Sequence, residues 1–180
     1  MGRGLEEGKS MDQTDGQGSI NTGKKHTAAT LAAMAFIFVH SAMPGRVSGS
    51  ESGYFAELLS SITGISFDTS QFIVRKAAHF TEYLVLGSCL TVNVLDLKAG
   101  KAFSRSGRSP RKDFIAGHPR LSAWIAGTLY AASDEFHQLF VEGRTCTFRD
   151  VCIDSAGAAA GILIASNIKS NIKTNINKKK

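Results

Sequence analysis

Three short stretches of this 180-residue chain hold the side chains able to do chemistry. Arg75, His79 and Glu82 stand at i, i+4 and i+7, one face of a helix. Tyr130, Asp134, His137 and Gln138 stand at i, i+4, i+7 and i+8, with Glu135 beside them. Asp150 and Asp154 stand at i and i+4, and Arg144 and Arg149 lie just before or beside them. Two imidazoles and several carboxylates at close quarters suit proton transfer, because neighbouring charges separate the acid from the base. His79, Glu82, Asp134, Glu135, His137 and Asp154 are the candidates for that work. Arg75, Gln138, Arg144, Arg149 and Asp150 are the candidates for holding a ligand, an arginine fork matching a phosphate or a carboxylate. His79, His137 and a carboxylate form no recognised metal-binding spacing such as His-Glu-x-x-His, and no cofactor motif is present. The sequence therefore predicts neither metal nor cofactor.

The elements that must position these residues are apolar runs. His26 to Gly45 is 20 residues without Asp, Glu, Lys or Arg. As a helix it spans about 30 Å, the thickness of a bilayer's hydrocarbon core. The long, acid-containing stretch before it argues for an uncleaved anchor over a signal peptide. Ala77 to Leu95, Leu121 to Val141 and Val151 to Ile168 have similar dimensions, and Pro44, Pro110 and Pro119 fall between or at the edges of the runs. The predicted fold is all-α: a polytopic four-transmembrane-helix bundle with spans at about 26–45, 72–95, 121–141 and 151–168. Phe55, Leu58, Leu59 and Ile62 predict a short interfacial amphipathic helix between spans 1 and 2. Gly157 and Gly161 form a Gly-x-x-x-Gly pair in the last run, a spacing that lets helices approach closely. Residues 1–25 read as a disordered tail, 96–120 as a basic loop and 169–180 as a basic tail, flanking a membrane domain over 26–168.

Charge sets the orientation. Of the 21 Lys and Arg, 16 fall in the two tails and the 96–120 loop, and five fall on the other side. The positive-inside rule makes the 16-charge side, with both termini, cytoplasmic. The net charge of +6 and mean hydropathy of −0.03 thus average a basic inner side, an acidic outer side and apolar spans. Nucleic acid is excluded as a partner, because the basic segments lack interleaved aromatic residues for stacking. Anionic lipid headgroups are the expected partner for those charges. Every ionisable residue inside the runs then falls near the outer face. Charge in hydrocarbon is costly, so these side chains must face one another or a wet cavity. The expectation is an outward polar cleft between spans 2, 3 and 4. A purely structural alternative has Arg75 and Arg144 pairing with Asp134, Asp150 and Asp154. His26, His40 and His118 sit at span edges or in a loop and read as interfacial. Cys146 and Cys152 lie close across a turn, a spacing that disfavours a bridge.

These residues also resemble a known family. Arg75-Lys76-Ala77-Ala78-His79-Phe80-Thr81-Glu82-Tyr83 with Leu86-Gly87 is similar to the second-span motif of the VanZ-like family. Ser133-Asp134-Glu135-Phe136-His137-Gln138-Leu139-Phe140 with Gly143-Arg144 resembles its third-span motif, and Asp150-Val151-Cys152-Ile153-Asp154 through Gly157 and Gly161 its fourth. Phe36 to Pro44, with Ser41, resembles the first. Glu142 departs from the pattern, standing where a proline often precedes Gly-Arg, and the 96–120 loop is longer and more basic than usual. The resemblance implies a small polytopic bacterial inner-membrane protein. The family's named member is associated with low-level resistance to the glycopeptide teicoplanin, so an envelope precursor or a glycopeptide at the outer face is the implied partner.

Overall fold

The computed structural model describes residues 4–99, 114–115 and 117–178. They form five long helices and no strand: α1 (Gly4–Ser41), α2 (Gly45–Thr63), α3 (Phe67–Ala99), α4 (Pro119–Gln138) and α5 (Phe148–Lys178). The all-α expectation holds. Helix α1 starts at Gly4, and no proline interrupts residues 1–43. Most of the 96–120 loop lies outside the described residues.

Helix ends follow local chemistry. Pro44 precedes α2, which stops at Gly64 with φ of 74°; the Gly64 N–H donates to the Ser60 carbonyl at 2.8 Å. Ser66 then caps α3, its Oγ accepting from the Thr69 N–H at 3.3 Å. Pro119 occupies the first turn of α4, where its missing N–H costs nothing. Thr147 caps α5, its Oγ1 accepting from the Asp150 N–H at 3.2 Å. Gly143, with φ of 72°, turns the chain between α4 and α5.

Helices α3 and α5 form the centre of the bundle and touch backbone to backbone. A Cβ on Gly161 would lie 1.9 Å from the Leu84 carbonyl oxygen, and one on Gly157 would lie 2.4 Å from that of Phe80. On the opposite helix, a Cβ on Gly87 would lie 2.2 Å from the Ala158 carbonyl oxygen. The Gly-x-x-x-Gly pair thus joins helices of one chain. Ile37, Tyr83, Leu86 and Ala131 make a small apolar core where α1, α3 and α4 meet. The Tyr130 hydroxyl donates to the Met34 carbonyl of α1 at 2.6 Å.

The buried interior is rich in polar side chains. Among the described residues, 14 polar or charged side chains are buried against nine apolar ones, while Phe36, Leu129, Phe140 and Phe148 are exposed. One helix among them, α5, is long and apolar enough to cross a membrane by length and composition. Four such helices are expected from the sequence; His79 and Glu82 in α3, and Asp134, Glu135, His137 and Gln138 in α4, lower the mean hydropathy of those runs.

One end of the bundle is fastened by a polar knot. Asp96 of α3 meets His26 of α1 and, at 2.9 Å, the Lys169 ammonium of α5. The Asn93 amide donates to the His26 carbonyl at 3.1 Å and to Thr30 Oγ1 at 2.6 Å. Burial pushes the Asp96 carboxyl up, but the hydrogen bonds from Lys169 and His26 outweigh it and hold it below its usual range.

Candidate functional site

The residues singled out by spacing gather at the other end. Helix α3 brings Arg75, Lys76, His79 and Glu82; α4 brings Asp134, Glu135, His137 and Gln138; α5 brings Asp150 and Asp154. Helix α1 adds His40 and Ser41 from its last turn. Four separate constructions result.

The first is a carboxylate chain. Ser41 Oγ donates to Asp134 Oδ2 at 2.7 Å. The Gln138 amide reaches Asp134 Oδ2 at 3.4 Å and Glu135 Oε1 at 3.2 Å. Glu135 Oε2 accepts from the Thr147 N–H at 3.2 Å, tying α4 to the cap of α5. Asp134 and Glu135 are both buried, so each hydrogen bond offsets a desolvation cost.

The second is an ion pair between α3 and α5, Lys76 Nζ to Asp150 Oδ2 at 2.5 Å. Arg75 and Arg144 are the expected partners for these carboxylates, and neither fills that role. The guanidinium of Arg144 turns to the end of α1, its Nε donating to the Met43 carbonyl at 3.2 Å and its Nη2 to the His40 carbonyl at 3.3 Å. A helix C-terminus carries unsatisfied carbonyls and partial negative charge, so a cation settles there. Burial, together with the nearby Arg75 guanidinium, holds Arg144 below its usual pKa.

The third is a carboxylate facing two imidazoles. Glu82 Oε1 lies 2.6 Å from His40 Nδ1, and Oε2 lies 3.7 Å from His79 Nδ1. The two rings stack with centroids 5.9 Å apart. His40 is therefore part of the cluster and not an interfacial residue. His137 stands apart, stacked on Phe38 at 4.5 Å. Among the described residues no group of three His, Cys, Asp or Glu is placed to hold a metal ion.

The fourth is an open cleft of about 170 Å³, lined by His40, Ser52, Phe55, Val74, Arg75, Ala78 and His79. It lies between α1, α2 and α3. Arg75 belongs to this cleft, and among the described residues no carboxylate pairs with it. Arg149 lies elsewhere, its guanidinium 4.7 Å from the centroid of the Phe72 ring. Asp154 is almost fully buried, with Oδ2 lacking a hydrogen-bond partner. Cys146 and Cys152 are free and exposed.

The model of the VanZ/LLP1 family matches residues 27–169. The chain belongs to the VanZ/LLP1 family. In this VanZ/LLP1 chain the match covers the apolar part of α1, all of α2, α3 and α4, and α5 as far as residue 169, hence all four constructions. No curated protein matches the chain, and no solved structure does.

Sequence reasoning passed over two members of this VanZ/LLP1 site. Lys76 was visible only as a neighbour of Arg75, and which of two adjacent bases reaches α5 depends on the helix's rotation. His40 lies at the outer end of its run, at the depth of the other polar residues, and that depth was the available signal.

Proposed function

We propose that this VanZ/LLP1 chain is a four-span protein of a bacterial cytoplasmic membrane, with both termini inside, whose outward-facing polar cleft binds a cell-envelope component. The buried polar interior and the exposed aromatic and aliphatic surface support the membrane setting, because that distribution is favourable only in an apolar solvent. The uneven split of Lys and Arg supports the orientation. The observation that carries the binding reading is Arg75. Lys76 is used in an ion pair and Arg144 on helix-end carbonyls, whereas Arg75 lines an open cleft beside two imidazoles. Helix packing alone leaves no role for a charge so placed.

The cleft is small. At about 170 Å³ it falls below the roughly 300–1,000 Å³ of sites that enclose a drug-sized ligand, so it takes one group of a larger molecule that extends beyond it. Reporter fusions at residues 48, 105, 146 and 178 test the topology; an external signal at 105 overturns the orientation. Arg75→Gln and Glu82→Gln, expressed at wild-type abundance, are expected to lose binding of envelope extracts and any glycopeptide phenotype. Full binding by both variants refutes the reading.

Glu82 held between two imidazoles favours a second reading, acid–base catalysis on the bound component. It predicts a chemically altered envelope lipid on expression, and lipid mass spectra identical to those of an empty-vector control refute it.

A further inference from the structure

Resting on the binding reading, we infer that the cleft between α1, α2 and α3 is a headgroup site for a lipid phosphate monoester, with α2 as its apolar wall. One rim is basic and imidazole-bearing: Arg75, His79 and His40. The other is apolar: Phe55 from α2, and Val74 and Ala78 from α3. A ligand matching both sides has an anionic head joined to a hydrocarbon chain. On α2, Leu58 and Ile62 follow Phe55 at helical spacing and are exposed large apolar side chains like it.

The chemistry of the rim selects among phosphates. The Arg75 fork donates to anionic oxygens, in pairs where geometry permits. A phosphate monoester has its second pKa near 6, so around neutrality it presents between one and two negative charges to Arg75 and the imidazole rim. A phosphodiester presents only one. Glu82 faces the two imidazoles and does not line the cleft. The nearby Arg144 guanidinium adds to the positive potential at this end. A volume of about 170 Å³ suits a compact head.

The test uses the full chain purified into lipid nanodiscs, with binding read by native mass spectrometry and by thermal shift. The probes are phosphatidic acid for the monoester, phosphatidylglycerol for the diester, phosphatidylcholine as the zwitterionic control, and inorganic phosphate alone. Phosphatidic acid is expected to bind at least about tenfold more tightly than phosphatidylglycerol, the scale of one charge-assisted hydrogen bond. Arg75→Gln is expected to lose about tenfold or more in phosphatidic acid affinity, with Arg75→Lys between it and wild type. Phe55→Ala, outside the charged network, is expected to weaken the lipid more than it weakens any response to inorganic phosphate. Equal affinity for monoester and diester overturns the headgroup assignment and leaves the envelope-binding reading standing. Inorganic phosphate binding as tightly as the lipid overturns the role of α2. Failure to retain any envelope component from a membrane extract overturns both.

Discussion

Replacing Gly161 with alanine tests the backbone contact on which the bundle depends. The new Cβ would sit 1.9 Å from the Leu84 carbonyl oxygen, 2.8 Å from its carbon and 3.0 Å from the Ser88 nitrogen, about 1.5 Å short of ordinary contact. All three atoms are main chain, so no rotamer relieves the clash and α3 must separate from α5. The Ser88 Oγ bond to the Gly161 carbonyl, 3.1 Å long, then lengthens or breaks. Overpacking of this kind costs about 1–3 kcal/mol, or roughly 3–10 °C in Tm for a chain of this size. Gly87→Ala and Gly157→Ala, at 2.2 and 2.4 Å from carbonyl oxygens, should follow closely. Gly127→Ala meets only the Ala158 Cβ at 3.2 Å and should cost less. Gly53→Ala in α2 meets nothing within 4 Å, and its gain in helix propensity of about 1 kcal/mol should leave Tm unchanged or slightly higher. The assay is thermal unfolding of the five purified variants in one detergent. A Gly161→Ala protein as stable as wild type would refute the close approach of α3 and α5.

Three further outcomes follow from the polar ends. Ser41→Ala removes the hydroxyl on Asp134 Oδ2 and should cost about 1–3 kcal/mol, read as a lower Tm that the double variant Ser41→Ala/Asp134→Asn only partly repeats. Lys76→Met leaves Asp150 without its ion-pair partner and should destabilise more than Lys76→Met/Asp150→Leu, which removes both charges; equal losses would argue against the pair. Asp96 is held below its ordinary 3.8, so its contribution is fully present above that value and is lost as pH falls through the lower folded value. The Tm gap between wild type and Asp96→Asn should therefore be open at pH 6 and narrow at pH 3, and a constant gap would count against the His26–Asp96–Lys169 knot.

The helices were legible because their apolar runs are long and bounded by proline and glycine, as at Pro44, Gly64 and Pro119. The polar end was legible because the costly residues share helical stripes and one depth. Rotation was not legible. Periodicity says that Arg75 and Lys76 point 100° apart but not which of them faces α5. The structure gives Asp150 to Lys76 and the cleft to Arg75. The part played by α1 was hidden for a related reason. His40 and Ser41 end an otherwise uncharged run, and only the crossing of α1 beside α3 and α4 brings them to Glu82 and Asp134. The glycine spacing signalled close packing without naming the partner helix.

Helix α3 takes part in both polar ends of the molecule, through Glu82 and its neighbours at one and Asp96 at the other. From His79 to Asp96 is about 25 Å at 1.5 Å per residue, bridged by a single uninterrupted helix. Such a helix behaves as a stiff strut, pinned at each tip to α1 and to α5. A sliding movement of α3 along its own axis has to loosen the Lys76 and Lys169 attachments together, and neither end can yield alone.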